Sequence, residues 1–142
     1  MTRYLLDVNV LLALSLPRHQ HHAGATEWFD GGQQWATTPI TETAYLRLML
    51  NPHVVGYDIP ASQALAALNA MRQLPGHSFV ADMSSLAVPA LDVTFLAGTK
   101  QVTDFHLVNL AVASSMKFAT FDASLSRALA QPDRTHVLVL TD

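Results

Sequence analysis

Four carboxylates carry the chemistry this chain could perform. Asp7 interrupts the apolar run from Tyr4 to Leu12, and Glu42 lies within the stretch from Thr38 to Met49. Asp104 follows Val102-Thr103, and Asp122 follows the segment Lys117–Phe121. A carboxylate buried without a partner costs several kcal/mol or keeps its proton. Two carboxylates about 4 Å apart repel by roughly 4 kcal/mol at an effective dielectric of about 20. A cluster of them is stable in ionised form only around a cation. Hard oxygen ligands, without cysteine and without an obvious histidine pair, suit Mg²⁺ or Mn²⁺. An ion held this way can steady the charge of a phosphodiester during in-line displacement by water.

Each acid also has a plain structural use. Asp7 could be a turn residue, Asp122 a helix cap, and Asp104 a first-turn acid answering the helix dipole. Glu42 resists such a reading, because its neighbours at i+3, i+4 and i+7 are Tyr45, Leu46 and Met49. It therefore faces inward and needs a partner. Asn9, two residues past Asp7, could orient that carboxylate or hold a water. Thr103 and Thr120 are similarly placed, with capping and packing as their alternatives.

The elements that must position these residues alternate between strand and helix. Strands are predicted at Tyr4–Leu6, Gln34–Thr37, Ser78–Ala81, Lys117–Phe121 and Val137–Leu140. Helices are predicted at Val10–Leu16, His22–Phe29, Thr38–Met49, Ala61–Leu74, Asp104–Met116 and Ala123–Ala130. Thr38-Pro39 supplies a cap and a proline in the first turn, and Thr103 is read as the cap of the helix opening at Asp104. Asn51-Pro52 breaks the chain, and two short helices are placed around Pro89 within 83–98. This alternation points to an α/β fold with a parallel sheet covered on both faces, whose working site lies off the carboxyl ends of the strands. Asp7 and Asp122 directly follow strands, so the four acids are expected to face one spot.

The 142 residues are half hydrophobic and 13% charged, which suits one domain spanning 1–142 with a sizeable core and argues against disorder. The formal net charge of −3 argues against a protein that coats nucleic acid non-specifically, and the eight basic residues form no run. The absence of cysteine excludes disulfides and thiolate metal sites. No apolar run is long enough to span a membrane and no secretory signal is evident, so a cytoplasmic protein is expected. His19, His21 and His22 read as solvent-exposed histidines rather than metal ligands. His106 is placed either near the site or on the surface, while Arg47 and Lys100 read as solvated charges. The apolar Ala61–Leu74 helix packs either into the core or against a partner.

The segments "LLDVNVLLAL", "TPITETAYLRL", "QVTDFHLVNLA" and "ATFDASL", in this order and spacing, resemble the PIN-domain ribonucleases, specifically the VapC toxins of bacterial toxin–antitoxin pairs. The likeness runs from Asp7 to Leu140. It implies a PIN-like three-layer α/β/α fold and a Mg²⁺-dependent endoribonuclease, with Mn²⁺ as a substitute, acting on structured RNA such as tRNA or rRNA. It also implies a homodimer neutralised by a VapB-type antitoxin. Asp7, Glu42, Asp104 and Asp122 match the family's acidic quartet, with Asp7 and Asp104 as the firmest metal ligands and Glu42 acting directly, through water or as a proton acceptor.

Two other classes remain in view. A metal-dependent phosphatase of the haloacid-dehalogenase type needs a second aspartate two residues after the first, where this chain has Asn9. A non-catalytic α/β interaction module would use the acids as caps but would leave Glu42 without a purpose.

Overall fold

The computed structural model describes all 142 residues. Five strands form one sheet: β1 (Arg3–Leu6), β2 (Gln34–Thr37), β3 (His77–Phe79), β4 (Lys117–Thr120) and β5 (Val137–Val139), in the order β3-β2-β1-β4-β5. Every adjacent pair is parallel. Seven helices connect them: α1 (Val8–Ser15), α2 (His22–Phe29), α3 (Pro39–Met49), α4 (Pro52–Val55), α5 (Ala61–Arg72), α6 (Val102–Ala113) and α7 (Ala123–Ala128). A 3-10 turn at Gln131–His136 leads into β5.

The two-residue period of the strands divides the core into two layers. Leu5 pairs in register with Ala36 on one side and Phe118 on the other, and all three point to the face packed by Phe105, Val108 and Ala111 of α6 and Leu125 of α7. Leu6, Trp35 and Ala119 point the opposite way, into a cluster with Val10 and Leu11 of α1, Tyr45 and Met49 of α3, and Leu68 and Met71 of α5. The result is helix, sheet, helix. Strand order reverses between β1 and β4: the chain first builds outward from β1 to β2 and β3, then crosses to β4 and β5. Right-handed crossovers in opposite directions put helices on opposite faces and open a crevice at the carboxyl ends of β1 and β4.

Several element bounds differ from the sequence reading for identifiable reasons. Asp7 itself caps α1, its side chain accepting from the Val8 amide, so that helix begins directly after the strand. Asn51 caps the one-turn helix α4 instead of only breaking the chain. Thr103 does not cap α6; Gln101 holds that position and Thr103 lies within the first turn. No helix forms between 83 and 98. There Leu86, Leu91, Val93 and Leu96 dock on the α6 side of the sheet, and buried Asn109 takes backbone groups that a helix would have used. Helix α5 buries only the stripe Ala64, Leu68, Met71, while Leu65 remains 53% exposed. The core-packing reading of that helix holds for the buried stripe.

Gly76 turns the chain from α5 into β3 at φ +85°, and its carbonyl accepts the Trp35 amide. A Cβ there would lie 2.5 Å from the Gln33 carbonyl oxygen. Gly76→Ala is expected to cost about 2 kcal/mol or more, read as a lower urea midpoint at unchanged slope.

Candidate active site

At the carboxyl ends of β1 and β4, the Asp7 side chain is almost completely buried. Its Oδ1 accepts from the Val8 amide at 2.7 Å and its Oδ2 from the Thr120 hydroxyl at 2.7 Å. The same hydroxyl accepts from Asn9 Nδ2 at 3.1 Å and from the Asp122 amide at 3.0 Å. Asn9 Oδ1 in turn accepts the Phe121 amide. Thr120 is thus the junction of β1, β4 and the starts of α1 and α7. Asp122 is also a helix cap, its Oδ1 accepting from the Ser124 amide at 2.9 Å.

Asp104, half-buried in the first turn of α6, completes the group from the opposite helical layer. Burial pushes its carboxyl up to about 6, and the nearby charges of Asp7 and then Asp122 add to that rise. Burial also raises Asp7; hydrogen bonds from Thr120 and Val8 oppose this, and Asp122 reinforces it. Three aspartates therefore act on one another at one sheet edge.

Glu42 has partners of its own. It is buried on α3, where Oε2 accepts a short hydrogen bond from Thr37 and Oε1 meets Arg72 Nη1 at 3.4 Å. Thr37 also meets His77 Nε2 at 2.8 Å. Burial lowers the His77 pKa, Arg72 lowers it further, and Glu42 opposes them. The glutamate's burial is thus accounted for by Thr37 and Arg72. Thr37, Arg72 and His77 escaped the sequence reading because they belong to three different elements. The apolar surroundings of Glu42 did signal that some partner was required.

The donor set is all oxygen, and two of its carboxylates are held above their ordinary ionisation range by burial and mutual repulsion. That is the chemistry a hard divalent cation answers. No three acidic, histidine or cysteine side chains converge closely enough to ligate one ion by themselves. Mg²⁺ is commonly held by one or two carboxylates while keeping water and substrate oxygens, so the residues fit such an ion.

His21, His22 and His106 have partners within the protein. His21 stacks on Phe121 with centroids 4.3 Å apart and meets Asp142 at 2.6 Å, while His22 Nδ1 contacts the Ala13 carbonyl at 2.7 Å. All three histidines of that cluster are half-buried, not solvent-exposed as the sequence reading had them. His106 pairs with Asp82 at 2.7 Å, whereas Arg47 and Lys100 are exposed.

Against known proteins, the chain is 41% identical over 139 residues to ribonuclease VapC38 of Mycobacterium tuberculosis, covering 96% of this chain and 97% of that protein. The chain belongs to the VapC ribonuclease family. VapC39 of the same species is 44% identical over 125 residues, or 86% of this chain and 90% of the relative. Among solved structures, VapBC2 from Rickettsia felis, bound to a DNA fragment from its promoter, matches with a TM-score of 0.61 at 11% identity. That match covers 99% of this chain and all of the matched chain, and it supports the PIN-type α/β/α fold. No family model matches the chain.

Two predictions follow for this VapC chain. Thr120→Val removes a hydroxyl that makes three hydrogen bonds and leaves buried Asp7 short of a donor. It is expected to destabilise by roughly 2–3 kcal/mol, whereas Thr120→Ser should recover most of the loss in urea denaturation. The second concerns Asp104, whose folded pKa of about 6 exceeds the ordinary 3.8. Between those values the folded chain binds the extra proton, so stability falls as pH rises from about 4 to 6. Asp104→Asn removes that penalty. Its melting temperature without metal is expected to exceed wild type above pH 6, with the difference closing towards pH 4.

Proposed function

We propose that this protein is the toxin of a VapBC pair, a divalent-metal-dependent endoribonuclease. The observation that carries this reading is the pair of desolvated carboxylates Asp7 and Asp104, with the charge of Asp122 beside them, at the switch point of a parallel sheet. Asp7 and Asp104 would hold Mg²⁺, or Mn²⁺ in its place, with Asp122 completing the negative wall. The ion would supply Lewis acidity towards the phosphodiester and neutralise charge developing on it.

The chain's own residues do the positioning. The Thr120 hydroxyl and Val8 amide fix both Asp7 oxygens and favour the ionised form a ligand needs. Asn9 locks Thr120 and the Phe121 amide in place, so Asp122 cannot swing away from Asp7. Thr103 brings a hydroxyl next to Asp104 at the rim. Glu42, held by Thr37 and Arg72 on α3, would act through a water and not as a direct ligand. An acidic protein then attracts a polyanion only once the ion is bound, which couples RNA affinity to the metal.

The substrate is proposed to be structured RNA of the tRNA or rRNA class in the cytoplasm, and the protein to act as a homodimer silenced by a VapB-type antitoxin. Support comes from the relatives named as ribonucleases and from the VapBC2 structural match. No helix is long and apolar enough to cross a membrane. The α4–α5 surface leaves Val54, Tyr57 and Leu65 each more than 40% exposed, beside a cavity lined by Leu16, Pro17, Val55 and Tyr57. Such a surface suits a partner's apolar side chains.

Wild type in Mg²⁺ is expected to cleave RNA and to lose that activity in excess EDTA. Asp104→Asn should reduce cleavage at least 100-fold despite its greater stability without metal. Mg²⁺ should raise the melting temperature of wild type more than that of the variant. Cleavage by Asp104→Asn at the wild-type rate would refute the site.

A further inference from the structure

On the α6–α7 side of the sheet lies an open depression of about 560 Å³. Phe95 and Gln101 line it from the segment entering α6, Arg127 from the last turn of α7, and Gln131 and Arg134 from the 3-10 turn. Both helices that border it also carry aspartates of the site. Gln101 caps α6 in helical geometry and Asp104 stands three residues on, so the two are neighbours at that helix end, roughly 5–6 Å apart at Cβ. Asp122 caps α7, and Arg127 lies in the last turn of the same short helix, roughly 8 Å further along its axis. A strand passing Asp104 and Asp122 can therefore run on into the depression.

Its charge runs against that of the chain as a whole. The net charge is −3, yet this lining holds two arginines and no carboxylate. Neither arginine makes an ion pair within the protein. Arg134 is exposed but fixed: its Nε donates to the Leu129 carbonyl at 3.3 Å and its Nη2 to the Arg127 carbonyl at 3.2 Å. A guanidinium has five N–H donors, so these two bonds set its plane and leave the others unspent. A cation already held in place loses little freedom when it meets an anion. Asp133, the carboxylate next to Arg134, is engaged elsewhere, accepting the Asp92 amide at 2.8 Å and lying 3.7 Å from His136. Lys100, beside Gln101, is a further exposed cation at the rim. Folding thus gathers basic residues that form no run in the sequence.

The same lining offers an aromatic face, since Phe95 is 60% exposed. A partner with an apolar surface would have to desolvate two unpaired guanidinium groups, which is costly. A polyanion that also carries flat rings meets both features at once, with phosphates on the arginines and a base on the phenyl ring. Single-stranded nucleic acid is held in this way. We propose that Phe95, Arg127 and Arg134 hold single-stranded RNA that flanks the scissile phosphate, stacking one base and pairing with the backbone. The proposal rests on the ribonuclease reading of the aspartates.

The test measures KM and kcat in Mg²⁺ for a single-stranded RNA oligonucleotide of mixed sequence, over a range of KCl concentrations. Arg127→Gln and Arg134→Gln are each expected to raise KM roughly threefold to tenfold at low salt and to lower the slope of log KM against log salt by about 0.7. Arg47→Gln removes an exposed charge from α3 in the opposite helical layer and should leave that slope as it is. Phe95→Ala should raise KM roughly 5- to 100-fold, Phe95→Leu nearly as much, and Phe95→Trp little, because only a ring can stack. Arg134 ties two backbone carbonyls, so its variant is read together with its melting temperature, and Arg127 and Phe95 carry the test if it unfolds. Unchanged KM and salt slope in Arg127→Gln, with Phe95→Leu equal to wild type, would overturn the proposal and leave the ribonuclease reading intact. So would an equal effect from Arg47→Gln, or variants that keep their RNA kinetics and lose only neutralisation by the antitoxin, which would assign the surface to a protein. Failure of wild type to cut any RNA in Mg²⁺ would instead remove the ribonuclease reading, and this surface with it.

Discussion

A single hydroxyl holds the two halves of this molecule together where its chemistry is done. Thr120 Oγ1 has one proton to give and two lone pairs to receive with, and all three are engaged: by Asp7, Asn9 and the Asp122 amide. Because strand order reverses between β1 and β4, no crossover helix covers this seam at its carboxyl end. The side chains there must tie the strands themselves. The Asp7 amide helps by donating to the Ala119 carbonyl at 2.9 Å, continuing the β1–β4 ladder right up to the acid. The seam closes on a carboxylate instead of on an apolar pair, so the fold is least favourable in the place where the switch point exposes it.

That arrangement separates two ways of burying an acid. Glu42 is compensated within the protein by the Thr37 hydroxyl and the Arg72 guanidinium, the latter also lying 4.7 Å from the Phe79 ring centroid. Asp7 and Asp104 have no cation opposite them: Asp7 has two hydrogen bonds, and Asp104 has the charges of Asp7 and Asp122. Removing one member of a compensated buried pair strands the other and is destabilising. Removing one member of an uncompensated group relieves it. Sites carrying uncompensated like charge trade stability for binding capacity, and the two apolar layers on either side of the sheet must absorb the deficit.

Much of this was legible in the residues alone. Short apolar runs ending in Asp7 and Asp122 marked β1 and β4, and Thr38-Pro39 marked the start of α3, because strand hydrophobicity and helix-start chemistry are local signals. The placement of Asp104 followed from alternation of strand and helix. What could not be read were facts set by tertiary neighbours. Glu42 required a partner, but its identity as Arg72 depends on how α5 lies along α3. The histidines near residue 20 looked like loop residues, yet His21 is flattened against Phe121 by the packing of α2 beside the end of β4. Residues 83–98 carried helix-compatible composition, but their apolar side chains dock separately and the Ala90 and Asp92 amides are claimed by Asn109 and Asp133. Long-range side-chain bonds of this kind leave no periodic trace.

Helix α6 shows how tightly core and site are bound together. Phe105, Val108 and Ala111 seat it against Leu5, Ala36 and Phe118, which fixes its rotation about its own axis. That rotation sends Asp104 towards Asp7, points His106 at Asp82, and leaves Asn109 to fasten the loop that follows β3. A helix turn is 3.6 residues, so a slip of one position would swing each of these groups by about 100°. The acid, the loop anchors and the core stripe cannot be optimised separately. The apolar contacts that give α6 its stability are therefore also what give the site its geometry.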